Sequence, residues 1–216
     1  LESLPSMVLP RTNYQRSCPP QQFLGNLESW EGEAPNRYWR VAYRVMMQPG
    51  LERCLQPSIL PTGPTHVNAV HSLALSSNRE TAIVAGIWSS LVLDYRVKVI
   101  AKSNIQDSAV TNAPIILDHL LTDPLLLRTL RLNCLTEAYS PLWEELFSPR
   151  FILDSWTDQD LTRTSISTDQ SQWSTLVPLR RDFDRRLALV EIDALSALML
   201  GLTSTQLCAL YNSQFA

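Results

Sequence analysis

Two arginines stand four apart in "RYWRVAYRVMM", residues 37–47. Over residues 38–47 the alternation of Trp39, Val41, Tyr43, Val45 and Met47 predicts a strand with those side chains on one face. Arg40 and Arg44 then share the other face with Ala42, about 13 Å apart. That separation suits two phosphates, or a phosphate and a base edge. It equally suits two arginines that pair with carboxylates and cover a sheet, and the residues alone leave both open. A second polar group follows in "KVIAKSNIQDS", with the only two lysines, Lys98 and Lys102, and then Asn104 and Gln106. Asn and Gln side chains can read adenine edges through two hydrogen bonds.

Other chemistry is poorly represented. There is no phosphate-binding glycine loop of either common type, and the chain has only 6 glycines. No nucleophile elbow occurs. His66 and His71 are five apart, which on a strand puts them on opposite faces and not at metal spacing. The carboxylate pairs Glu144–Glu145 and Asp158–Asp160 read as solvated surface. Asp182–Asp184 reads as first-turn charge favoured by a helix dipole. Cys18, Cys54, Cys134 and Cys208 are too scattered for a zinc site or a disulfide framework, so reduced thiols in a cytoplasmic protein are expected.

The elements that must hold these residues divide the chain. With 216 residues, 45% hydrophobic, it can bury a sizeable core. The opening "LESLPSMVLP" has neither a Met nor a signal pattern, so Leu1 reads as a cut within a longer protein. Residues 1–36 read as a lead-in loop. Residues 37–116 should carry a small mixed or antiparallel sheet: strands at 38–47, 53–60 (with Pro57 placing it at an edge) and 66–75, then a helix over 79–101. Residues 117–216 should be helical and pack on that sheet part. The expected helices are one beginning at Asp123 with Pro124 in its first turn, one beginning at Pro141, and a long one near 178–200 closed by Gly201. An i,i+4 pair, Asp182–Arg186, should support the long helix, and Thr203–Gln206 is a capping box opening a last one. The polar stretch 154–175 reads as a loop. The fold class is therefore α+β. Charge follows the same division: residues 1–116 hold 10 basic against 8 acidic residues, and 117–216 hold 8 against 13. Strong non-specific nucleic-acid binding is not expected of such a chain, and any DNA contact belongs to the first half.

With these motifs in view, "YWRVAYRVMM…ERCLQPSILPTGPTHVNAVHSLAL" resembles the start of the target-recognition region of bacterial type IIG restriction-modification enzymes and related adenine-specific DNA methyltransferases. That pattern is a strand with Arg-x-x-x-Arg, then Asn/Leu-Glu-Arg-Thr/Cys-Leu, then an apolar strand ending Pro-x-Gly. Arg40, Arg44, Leu51–Glu52–Arg53–Cys54–Leu55 and Pro61–Thr62–Gly63 match it. Ser90 and Asp94–Tyr95 are similar to the family's Asn-Ser helix, although Ser89 stands where the Asn would be, and Ala113–Pro114 replaces its Leu-Pro. The tail "RRLALVEIDALSALMLGLTSTQLCALYNSQF" looks like its closing helices, Asp193 and Ala194 included.

The resemblance implies a DNA sequence-recognition domain without catalysis of its own. It implies a methyltransferase domain earlier in the same polypeptide, holding S-adenosylmethionine and flipping an adenine with an Asn-Pro-Pro-Tyr motif that this chain lacks. Under it the partner is double-stranded DNA. The expected contacts are Arg40, Arg44, Arg53, Lys98, Lys102, Asn104 and Gln106, joined by Thr65, His66 and Asn68 on the turn after Pro61–Gly63–Pro64. Arg44 could instead brace the sheet through Glu52. The competing expectation is a helical protein-interaction module whose acidic, Leu-rich second half docks a partner subunit, for instance in a multi-protein phage-defence complex.

Overall fold

The computed structural model describes residues 1–9, 15–48, 50–100, 103–158 and 163–215. Three short antiparallel strands form the sheet: β1 (Arg40–Arg44), β2 (Ser58–Leu60) and β3 (Val70–Leu73), in the order β2-β1-β3. Val41 opposes Ile59 on one side and Leu73 on the other. The strands are shorter than the alternation predicts, because turns anchored by tertiary contacts take up their ends. The central strand is buried on both faces: Arg40 and Ala42 are as enclosed as Val41 and Tyr43. A period-two pattern distinguishes the faces of a strand but not how many of them are covered. Strand β2 is the edge that Pro57 foretold. Its outward amide is not left bare: Ile59 N–H donates to Asn133 Oδ1 at 2.9 Å, and Tyr139 OH donates to Ile59 O at 2.9 Å.

Eight α-helices lie among the described residues: α1 (Pro20–Gly25), α2 (Asn78–Trp88), α3 (Leu91–Ile100), α4 (Asp107–Thr111), α5 (Thr122–Asn133), α6 (Ser140–Leu146), α7 (Asp182–Met199) and α8 (Ser204–Gln214). The fold is α+β, with the sheet in the first half and mostly helices in the second. One buried cluster joins Trp39, Val41 and Ile59 of the sheet part to Leu125, Leu130 and Ile192 of the helical part. No described helix is long and apolar enough to cross a membrane.

The single helix predicted over 79–101 is two. Ser89 Oγ donates to Ala85 O (2.8 Å) and Ser90 Oγ to Ile87 O (2.6 Å), so two hydroxyls take carbonyls at the end of α2. The chain then restarts as α3, whose first amide, Leu91 N–H, donates to Asp193 Oδ1 of α7 at 2.7 Å. That partner is 102 residues away, beyond the reach of any local pattern. The helix expected from Asp123 ends at Asn133, and a short 3-10 turn, Glu137–Tyr139, follows. The terminal signals hold well. Gly201 takes φ +76°, Gly201 N–H bonds to Leu198 O and Leu202 N–H to Ala197 O, which closes α7 in a Schellman motif. Thr203 and Gln206 form the reciprocal capping box of α8. The Asp182–Arg186 pair does not form, since Arg186 reaches Glu52 Oε2 at 2.9 Å instead.

Helix α2 is the centre of the core, buried from Thr81 to Trp88. It crosses α5 so closely that a Cβ on Gly86 would overlap Thr129 Oγ1 and lie 3.1 Å from Leu125 Cδ1. Gly86→Ala would gain about 1 kcal/mol of helix propensity. It would lose about 1–3 kcal/mol to overpacking against atoms that are themselves buried. We expect the second term to win. The urea midpoint should fall with an unchanged m-value, and a raised midpoint would mean that the crossing can yield.

The described residues of the polar stretch 154–175 form a loop, but a tethered one. Three indoles tether it: Trp143 Nε1 donates to Gln170 O and Trp156 Nε1 to Thr164 O within the stretch, and Trp173 Nε1 of the stretch donates to Cys134 O at the end of α5, all within 2.9 Å. The buried Arg131 guanidinium of α5 donates to Val177 O (2.7 Å), Ile166 O (2.8 Å) and Ser165 O. Burial pushes its pKa down to about 10, which still leaves it cationic at neutral pH.

Candidate nucleic-acid interface

Three of the expected contact residues turn inward. Arg40 is 3% exposed; its Nη2 donates to Pro64 O, and burial lowers its pKa. It braces the Pro61–Pro64 turn from inside, together with Asn36, which exchanges hydrogen bonds with Gly63 at 2.7 and 3.2 Å. Gly63 sits at φ +100°, a conformation that favours glycine at this turn.

Arg53 lies in the interior too, in a two-pronged pair with Asp193 (Nη1–Oδ1 2.8 Å, Nη2–Oδ2 2.7 Å) and with Nη1 on Ser89 O at 2.6 Å. Burial opposes its charge, and the Asp193 carboxylate outweighs that and raises its pKa. Lys98 Nζ is held by Asp94 Oδ2 and Glu52 O, each at 3.1 Å. A surface role was expected because Arg and Lys are mostly exposed; here each finds acceptors in the fold, so that Arg40 is buried and Arg53 and Lys98 are half-buried.

These inward residues belong to one cluster. Asp94 Oδ1 accepts Cys54 N–H (2.6 Å) and Leu55 N–H (2.8 Å), while its Oδ2 accepts Gln214 Nε2 (2.6 Å) from the last turn of α8. Gln214 Nε2 also reaches Glu52 O at 3.1 Å. The loop 51–55 is thus clamped by α3, α7 and α8. Arg44 does not reach Glu52, whose carboxylate is taken by Arg186.

The remaining polar residues gather at the far end of β1. Beyond Arg44 the chain has a partner on each flank. Val45 N–H donates to Ala69 O at 3.0 Å. Val45 O accepts Ile105 N–H at 2.8 Å, Met47 N–H donates to Ser103 O at 3.2 Å, and Met46 faces Asn104. Arg44, on β1, therefore stands between the stretch carrying Asn68 and the one carrying Asn104 and Gln106. Asn68, Asn104 and Gln106 are exposed, Arg44 is half-buried, and Met46 is 54% exposed. Arg44 Nη1 donates to Gln48 Oε1 at 2.9 Å, and among the described residues it has no carboxylate partner. Thr65 is half-buried. His66 is engaged at both ring nitrogens, with Ser72 Oγ at 2.7 Å and Val67 O at 3.2 Å, and burial lowers its pKa. Lys102 lies outside the described residues. One cation and three carboxamides on neighbouring chain segments can position a phosphate and read base edges.

Sequence reasoning did not find two further polar clusters. In one, Arg128 of α5 is sandwiched between Glu191 of α7 and Asp154. In the other, His71 and Tyr43 share Asp107. Their members lie 26 to 64 residues apart, so no spacing could announce them. Compared with protein-family models, with curated proteins and with solved structures, the chain finds no match.

Proposed function

We propose that this chain is the DNA sequence-recognition domain of a larger bacterial N6-adenine DNA methyltransferase of restriction-modification or phage-defence type. Its catalytic domain and S-adenosylmethionine site would lie elsewhere in the same polypeptide. One observation carries the reading. The three stretches that resemble the family, around Arg53, around Ser89–Asp94 and around Asp193–Gln214, meet in a single hydrogen-bonded cluster. A fortuitous likeness scattered over 160 residues has no reason to converge on mutually bonded side chains. The cluster supports the pattern as a scaffold, and leaves Arg44, Asn68, Asn104 and Gln106 as the surface that faces DNA.

Selection by the chain from a pool of random-sequence duplexes tests this. One sequence should be enriched, with log K falling linearly against log salt. Arg44→Gln should make that slope shallower by about 0.9, the value of one phosphate contact. A chain that enriches nothing would overturn the reading.

A second reading rests on a different feature. Phe183, Val190 and Leu198 of α7 are each more than half exposed, at spacings that put them on one side of the helix. Such a stripe suits a helical protein-interaction module, whose binding would persist at high salt.

A further inference from the structure

His71 was not among the expected contacts, yet its surroundings prepare it for one. Asp107 Oδ1 accepts from Tyr43 OH at 2.6 Å and lies 2.6 Å from His71 Nδ1. Hydrogen bonds from Tyr43 and from His71 hold the Asp107 pKa below the usual carboxylate value. An ionised carboxylate only accepts, so Nδ1 must carry the proton. In the neutral ring Nε2 is then the acceptor, and among the described residues it has no partner. The arrangement is rigid. Tyr43 is 2% exposed and wedged edge-on between Trp88 and His71, with ring centroids 5.8 and 5.9 Å away. Thr111 Oγ1 fixes the Asp107 backbone at 2.9 Å. His71 and Asp107 line an open cleft of about 240 Å³ with Tyr43, Ser72, Leu73 and Thr111.

The cleft lies at the same end of β1 as the surface described above, on the opposite face of the strand from Arg44. His71 pairs with Tyr43, the residue before Arg44, and Asp107 follows Gln106. We propose that His71 is a further base-reading residue at that end of the sheet. It offers Nε2 to an amino group on a base edge, the N6 of adenine or the N4 of cytosine, with Asp107 and Tyr43 as positioning residues. This rests on the DNA-recognition reading. A locked tautomer matters here because an imidazole free to shift its proton would accept from one base and donate to another. With Asp107 in place, the Nε2 of the neutral ring is satisfied only by a donor such as an amino group.

The test uses the duplex selection above, scoring base preference at each position. His71→Phe keeps a ring against Tyr43 and removes the acceptor. Preference should fall by about tenfold or more at one base pair, toward loss of the amino-bearing base, and stay unchanged elsewhere. Asp107→Asn, at a carboxylate 66% exposed, should weaken the same position through the tautomer. It also carries the test if His71→Phe does not fold. Unchanged preferences at every position in the folded variants would overturn the role of His71 while leaving DNA recognition standing. An unmodified chain that selects no sequence would overturn DNA recognition, and this inference with it.

Discussion

Asp193→Ala is expected to cost the fold about 3–5 kcal/mol, a large share of the roughly 5–15 kcal/mol that holds a typical domain together. The reason is what it strands. Arg53 keeps only Ser89 O, with its guanidinium side chain 13% exposed, and the first amide of α3 loses its acceptor. A buried ion pair adds little beyond what a well-packed apolar pair would, but removing one half leaves an uncompensated charge. The two effects separate in a double variant. Arg53→Met with Asp193→Leu should recover most of the loss. It should fall short by about 1–3 kcal/mol, because Leu91 N–H still lacks a partner. Urea unfolding of the single and double variants measures both. A single variant within about 1 kcal/mol of the unmodified chain would show that the cluster does not hold the three helices and the 51–55 loop together.

Arg128→Met should be of similar size, about 3–5 kcal/mol, by the opposite imbalance. Arg128 Nε meets Glu191 Oε2 at 2.6 Å and its Nη1 meets Asp154 Oδ2 at 2.7 Å; its remaining donors hold Pro124 O and Ser155 O. Without the cation, two enclosed carboxylates face each other across a methionine that cannot neutralise either. Glu191 keeps Thr157 N–H at 2.7 Å, a dipole in place of a charge. The effect should be directional. Residues 154–157 are tied to α5 through Arg128, so limited proteolysis should open the chain there before it opens α7. Unfolding that stays at the original urea midpoint, with no early cleavage near Asp154, would count against this account.

How much was legible beforehand depends on the range of each interaction. Residue order alone determined the α+β class, the three strand positions, the edge placement of the Pro57 strand, the Gly201 terminus and the Thr203–Gln206 cap. Each follows from forces acting within a few residues: pleat period, a missing Pro donor, a positive φ, a side chain reaching the third amide.

Tertiary structure alone decided which charged residues face out. Arg40 and Arg44 look equivalent on one strand, yet the Pro64 carbonyl takes the first inward and, among the described residues, no carboxylate claims the second. Ser89–Ser90 breaks one helix into two because Asp193 arrives to receive the next amide. His71 is a plain strand histidine until Asp107 and Tyr43 fix its tautomer. In each case the deciding partner comes from a distant part of the chain. Burial changes the worth of a charge by several kcal/mol, and which distant partner meets it is settled only when the layers pack.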